Sequence, residues 1–143
     1  MASYFLSDIH LKSSKAGLDD KLSGPLLFFF RNIWPQAPGD IYLLGDIFDI
    51  WVSDHRVFQN KYEEVIAELK KIKSLGYKII YFEGNHDLHL KRFWKKQLGF
   101  EVHFDVGYFE IENHIFRLEH GDLINLEDHD YLKLRHALRS ATM

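Results

Sequence analysis

The 143-residue sequence contains no cysteine. This excludes disulfides, thiolate metal sites and cysteine nucleophiles, and leaves carboxylate, imidazole, amide or water to hold any metal. Long apolar runs are missing too: no stretch reaches the roughly 18 residues of a membrane-spanning helix. The first residues lack the basic start and small-residue cleavage site of a secretory signal, so a cytoplasmic location is expected. Basic charge is not in excess. Eighteen Lys and Arg against 21 Asp and Glu give a net charge of −3, no global field draws the chain to a polyanion, and no nucleic-acid partner is expected. Proline is scarce. Pro25, Pro35 and Pro38 crowd into one turn-rich passage and leave the rest of the chain free for regular structure. No internal repeat, low-complexity tract or charged tail breaks the chain, and a single domain over 1–143 is expected. Hydrophobic residues make up 46% of it, enough for an ordinary core.

What is present is a recurring local pattern, a short apolar run that stops at polar residues of metal-binding type. Tyr4–Leu6 runs into Ser7-Asp8-Ile9-His10 and Ile41–Leu44 into Gly45-Asp46-Ile47-Phe48-Asp49. Ile79–Phe82 runs into Glu83-Gly84-Asn85-His86-Asp87, and Ile115–Leu118 into Glu119-His120-Gly121-Asp122. Each run has the length and the β-branched or aromatic content of a buried strand. Helical periodicity lies between them. Val57 to Leu75 places Val57, Tyr62, Val65, Ile66, Leu69 and Ile72 on one face, with Gly76 as a C-cap. Leu88–Leu98 closed by Gly99, Pro25–Ile33 and Asp128–Arg139 read as further helices, and Gly107–Leu118 as a hairpin turning at Glu112-Asn113. Alternating strands and helices predict an α/β sheet layered by helices, with ligands outside the carboxyl ends of the strands. All four polar clusters fall at that edge.

A strand end aims a short side chain into a crevice with little freedom. Asp8 and His10 are two apart, so on an extended backbone both lean to one side. Gly45 and Gly84 let the backbone turn close to a ligand just before Asp46 and Asn85, and Gly121 does so after His120. Asp8, His10, Asp46, Asn85 and His120 form an oxygen-and-nitrogen set suited to manganese, iron or zinc rather than to a calcium cage. Two such ions about 3.5–4 Å apart, bridged by one carboxylate, would grip a phosphate oxygen and activate a water for in-line attack on phosphorus. His86 and Asp49 then read as supporting residues, a histidine near the phosphate and a carboxylate that orients it. Singly, each has an ordinary reading: a cap, a turn residue, a satisfied core histidine. Four such clusters at four successive strand ends are far less expected by accident, and together they favour a metal site.

In order and spacing, Asp8-Ile9-His10, Gly45-Asp46-Ile47-Phe48-Asp49, Gly84-Asn85-His86-Asp87 and the later His120 resemble the signature of the calcineurin-like metallophosphoesterases. The resemblance covers residues 3–122. It implies packed β-sheets flanked by helices, an α/β/β/α sandwich. It also implies two divalent cations, manganese first and iron or zinc next, with Asp8 and His10 on one, Asp46 bridging, and Asn85 with His120 on the other. His86 would contact the phosphate and assist the leaving group, supported by Asp49. Within the family, the opening Leu6–Leu11, the Gly45–Trp51 stretch and the Asp128, Tyr131, Arg135 spacing are similar to a subgroup that hydrolyses the diphosphate of a lipid-linked sugar nucleotide. That adds Asn85, His86, Tyr131 and Arg135 as substrate-binding residues, and Tyr131 and Arg135 share a helix face. Two features depart from the pattern. His86 stands where many members of the subgroup carry arginine, and the Gly-His-x-His segment that supplies one further ligand to each metal is missing. The chain is therefore expected to be the N-terminal portion of the domain, without lid and closing strands. A phosphodiesterase or phosphatase acting on a soluble substrate, and an inactive metal-binding module, stand beside the diphosphate hydrolase as alternatives.

Three further features have two readings each. Lys91, Arg92, Lys95 and Lys96, interleaved with Phe93 and Trp94, are either a solvated helix face or a peripheral contact with the inner membrane surface. Leu26–Phe30 is either core or the lining of an acyl groove, and Trp51 either a pocket wall or core.

Overall fold

In chain order the elements are β1 (Ser3–Leu6), α1 (Ser23–Asn32), β2 (Asp40–Leu43), β3 (Trp51–Val52), α2 (Arg56–Lys61), α3 (Glu63–Ser74), β4 (Lys78–Phe82), β5 (Asp87–Leu88), a π-helical turn (Lys91–Gln97), β6 (Glu101–His103), β7 (Gly107–Ile111), β8 (His114–Leu118) and α4 (His129–Ser140). The computed structural model describes residues 1–13, 23–33 and 37–140; Pro35, one of the prolines of the turn-rich passage, lies outside them. β1, β2, β4 and β6 form a parallel sheet in the order β1-β2-β4-β6. Side chains alternate across such strands, and here both faces are apolar. Ile41, Leu43, Ile79 and Tyr81 point to one side, where they pack with Leu26, Leu27 and Phe30 of α1 and Val65, Ile66, Leu69 and Ile72 of α3. Tyr42, Ile80 and Phe82 point to the other, where Phe109, Ile111 and Leu118 of the β7–β8 hairpin cover them. Helices on one face and β structure on the other give the expected metallophosphoesterase-type α/β architecture. Among the described residues, the second sheet of the sandwich is represented by this two-stranded hairpin.

Several expectations are met closely. The hairpin turns at Glu112 and Asn113, whose φ of 50° and 65° are those of the two-residue turn that suits the strand twist. Gly76, at φ +98°, follows the last turn of α3. Leu26, Leu27, Phe30 and Trp51 are buried, so the core reading holds for these residues, while Phe28 of the same run is 69% exposed. Other expectations need correction. Val57–Leu75 is not one helix: it breaks at Tyr62 (φ −115°, ψ 23°), a fully buried residue whose ring lies 4.4 Å from Phe48, so packing overrides propensity there. Leu88–Leu98 begins as a strand paired to β3 and turns helical only at Lys91. Ile115–Leu118 is not a buried strand, for only Leu118 is covered and Ile115 is 78% exposed. The sheet's fourth strand is instead β6, which has one buried residue, Val102. Phe93 and Trp94 of the basic run are buried, which leaves that run without an aromatic anchor for a membrane. Among the described residues no helix is long and apolar enough to cross one.

Candidate metal centre

The loops that leave β1, β2 and β4 are laced together by backbone hydrogen bonds. The N–H groups of Asp8, His10 and Leu11 donate to the carbonyls of Gly45, Asp46 and Ile47 at 3.1, 2.9 and 2.9 Å, and Trp51 N–H donates to His86 at 2.9 Å. This zipper departs from the extended conformation expected for Asp8 and His10. Asp8, His10 and Asp46 all sit in the left-handed region, at φ 52°, 49° and 52°. Such a conformation costs an L-residue about 1–2 kcal/mol, and Asp, Asn and His adopt it most readily among residues with a side chain. Strain of this kind persists where surrounding structure over-determines it, and it clusters at functional sites. Two glycines make room. A Cβ on Gly84 would overlap Asp46 Oδ1, and one on Gly45 would lie 2.6 Å from His120 Nδ1.

The zipper, together with the His120 ring held on the Leu44 carbonyl, brings all five predicted donors to one place. Asp46, buried to 3% exposure, is at the centre. Its Oδ1 accepts the His86 N–H at 2.9 Å, while its Oδ2 lies 3.7 Å from His10 Nε2 and 3.5 Å from His120 Nε2. Asp8 Oδ1 is 4.0 Å from His10 Nε2, and Asn85 Oδ1 is 3.0 Å from His120 Nε2. Atoms that share one ion at about 2.0–2.2 Å stand roughly 3–4 Å apart, so the spacing fits divalent cations. The His120 ring is oriented as a ligand requires: Nδ1–H donates to the Leu44 carbonyl at 2.8 Å and Nε2 faces the carboxylate. Electrostatics agree with the geometry. Burial pushes the Asp46 carboxyl up, but His120 and the His86 N–H overcome it and hold the group below its usual value. Burial alone would lower His120, yet Asp46 and the Leu44 carbonyl raise it to about 9. A cation that binds here must therefore displace a proton.

His86 and Asp49 also meet, though not through the contact expected. The His86 ring donates from Nδ1 to the backbone carbonyl of Asp49 at 2.8 Å, while the Asp49 carboxylate lies within 4.8 Å of donor atoms of His10 and His86. The His10 and His86 rings are edge-to-face, 4.7 Å apart. Tyr131 and Arg135 come together on Asp122 instead of standing open. Tyr131 O–H and Arg135 Nε donate to Asp122 Oδ2 at 2.6 and 2.8 Å, and Arg135 also reaches Asp105 at 2.9 Å. Burial, and then the Asp122 carboxylate, push the Tyr131 phenol well above its usual pKa.

One residue that the motif contains, but to which sequence reasoning assigns no role, organises the whole rim. Asp87 is completely buried and accepts four hydrogen bonds. The N–H groups of Asp46 and Gly84 reach its Oδ1 at 3.0 and 2.8 Å, and Ile47 N–H and Tyr81 O–H reach its Oδ2 at 2.9 and 2.6 Å. It ties the β2 loop to the β4 loop directly beneath the donors. Burial pushes its carboxyl up to about 6 against the pull of those four donors. Its signal in the sequence is that it completes Gly84-Asn85-His86-Asp87.

Parallel strands that end in donor-bearing loops around a buried carboxylate define a class, and sequence comparison names it. Residues 1–139 match the calcineurin-like phosphoesterases, and the chain belongs to that family. Among similar curated proteins, one from Neisseria gonorrhoeae named UDP-2,3-diacylglucosamine hydrolase is 30% identical over 93% of this chain and 53% of its own length. Another of the same name, from Porphyromonas gingivalis, is 32% identical over 83% of this chain and 45% of its own. A third, from Stenotrophomonas maltophilia, is 28% identical over 94% and 52%. The chain thus spans about half the length of the curated relatives it matches. A crystal structure of a protein of unknown function from Aquifex aeolicus superposes with a TM-score of 0.55 and 22% identity, covering 95% of this chain and 70% of the other; that likeness concerns the fold alone.

Proposed function

We propose that the chain carries the two-metal centre of a hydrolase that cleaves the diphosphate of UDP-2,3-diacylglucosamine, releasing UMP and a lipid sugar phosphate in lipid A biosynthesis. It would act in the cytoplasm, at the inner membrane surface where its lipid-linked substrate lies. The observation that carries this reading is Asp46 Oδ2, set 3.7 and 3.5 Å from ring nitrogens that reach it from two separate loops. Asp8 and His10 would hold one cation, Asn85 and His120 the other, and Asp46 would bridge them. Manganese is our choice, ahead of iron and zinc. When bound, such a pair grips phosphate oxygens and acidifies the attacking water. His86 does what the protein itself must do. With Nδ1–H committed to the Asp49 carbonyl, the ring is fixed and Nε2 is left to meet a phosphate oxygen and, when protonated, to donate to the leaving group. Asn85, Tyr131 and Arg135 line the approach. The substrate is supported by the names of the relatives.

The test compares the parent protein, at the full length of its relatives, with an Asp46→Ala variant. Both are given manganese and assayed for UMP release from the lipid substrate and for hydrolysis of bis-p-nitrophenyl phosphate. Loss of a bridging ligand is expected to cost at least about 100-fold in activity and in manganese affinity. Parent activity on the diester alone would remove the lipid substrate and leave the centre standing. Full activity in the variant would remove both.

A further inference from the structure

The basic run that precedes β6 divides in the structure. Phe93 and Trp94 enter the core, while Lys91 and Arg92 stand exposed at a cavity of about 520 Å³. Four cationic side chains line it, Lys91, Arg92, Arg135 and Arg139, against two carboxylates, Glu83 and Asp105. This surplus lies in a chain whose net charge is −3. The two arginines of α4 are already matched, Arg135 by Asp122 and Asp105 at 2.8 and 2.9 Å, and Arg139 by Glu83 at 3.5 Å. Lys91 and Arg92 are held more loosely or not at all. Lys91 has no ion pair among the described residues, and Arg92 has only Asp54, at 3.9 Å. One cation without an ion pair and one held only by a long contact are therefore left at this cavity to meet an anion. Arg139 adds a second sign, for its Nε is buried without a hydrogen-bond partner.

The cavity also leads to the metal centre. Arg139 Nη2 donates to the Gly84 carbonyl at 3.4 Å, one residue before Asn85. Arg135 and Arg139 are the wall it shares with a smaller cavity of about 110 Å³ that Asn85 and Tyr131 also line. We propose that the larger cavity is a phosphate-binding site, which holds a phosphate-bearing group of the substrate or product beside the metals, with Lys91 and the loosely paired Arg92 as its donors. In so far as it names a substrate group, this rests on the diphosphate hydrolase reading; the cavity itself does not. Lysine and arginine side chains suit such a group, as point charge and as two-pronged donor.

The test is made on metal-free protein in EDTA. Calorimetry follows binding of inorganic phosphate, UMP and glucosamine 1-phosphate to the parent and to Lys91→Gln, Arg92→Gln and the double variant. Both side chains are exposed, so the folded state should tolerate their replacement. The parent is expected to bind phosphate in a salt-sensitive manner, and each variant to bind about tenfold more weakly. Tighter binding of UMP assigns the cavity to the nucleotide half, and tighter binding of the sugar phosphate assigns it to the other half. A parent that binds none of the three, or a double variant that binds like the parent, overturns the proposal. Phosphate binding that depends on Lys91 and Arg92, in a protein that never cleaves the lipid diphosphate, would leave the cavity standing and remove the proposed function.

Discussion

The rim of donor loops and helix α4 are both built around a carboxylate, Asp87 in one and Asp122 in the other, but they are held in different ways. Asp87 has no exposure, accepts three backbone N–H groups and a tyrosine O–H, and sits under a backbone zipper. Asp122 is partly exposed and takes Tyr131 and Arg135 of α4, whose Arg139 reaches Glu83 and the Gly84 carbonyl. No residue of α4 is buried. One region is over-determined by backbone hydrogen bonds between its loops and by the buried Asp87, so it can sustain left-handed conformations at Asp8, His10 and Asp46. The other is latched by polar contacts with none of its residues buried, and the low end of local stability in a protein is composed of such segments. A metal centre needs the first kind of support, because donors that drift lose the ion. The wall proposed to line the approach of a substrate can be built in the second way.

The contrast is broken most severely at Asp87. Asp87→Ala leaves three N–H groups and a phenol O–H buried without an acceptor. Even with relaxation, this should lower the unfolding free energy by about 3–5 kcal/mol, read from urea denaturation. A loss below about 1 kcal/mol would mean that the carboxylate does not organise the rim. Next in size is Gly84→Ala. The added methyl would press against Asp46 Oδ1 and Asp87 Oδ1, so Asp46 must shift from its place between His10 and His120. Metal affinity should fall about 10- to 100-fold, measured by manganese titration, while the far-ultraviolet circular dichroism stays that of a folded chain. Affinity equal to the parent's would show that the rim accommodates a methyl for which its geometry leaves no room.

These two residues also mark how far the sequence was readable. Gly84 was legible, because a glycine between an apolar run and a ligand-type residue has few other uses. The four donor loops were legible for the same reason, each being a local pattern. Asp87 was not given a role, since a buried carboxylate has no periodicity and two of its four partners come from the distant β2 loop. The left-handed backbone at Asp8 and His10 was missed because a two-residue spacing reads equally well as an extended strand; only the pairing with the Gly45–Ile47 backbone decides otherwise. β6 was missed because Glu101–His103 buries one side chain, too little for an alternation to show. The latch of Tyr131 and Arg135 onto Asp122 was invisible as well. Their helical spacing placed them on one face, but spacing says nothing about what that face meets.

The smallest effect sharpens the comparison at that latch. Tyr131→Phe keeps the ring and removes one hydrogen bond, the 2.6 Å contact to Asp122, while Arg135 remains in place. A charge-assisted bond of this kind, partly exposed, should contribute about 1 kcal/mol. If α4 is a separate local unit, that loss appears only there: its amides should exchange with solvent about five- to tenfold faster, while manganese affinity and the urea midpoint hold at parent values. Rim and helix would then be energetically independent, and a change in the KM of the lipid substrate in the same variant could be assigned to Tyr131 at the substrate rather than to a disturbed centre. If instead the urea midpoint falls in step with the exchange rates, α4 unfolds together with the sheet. The polar latch would then be as integral to the fold as the buried carboxylate under the metals.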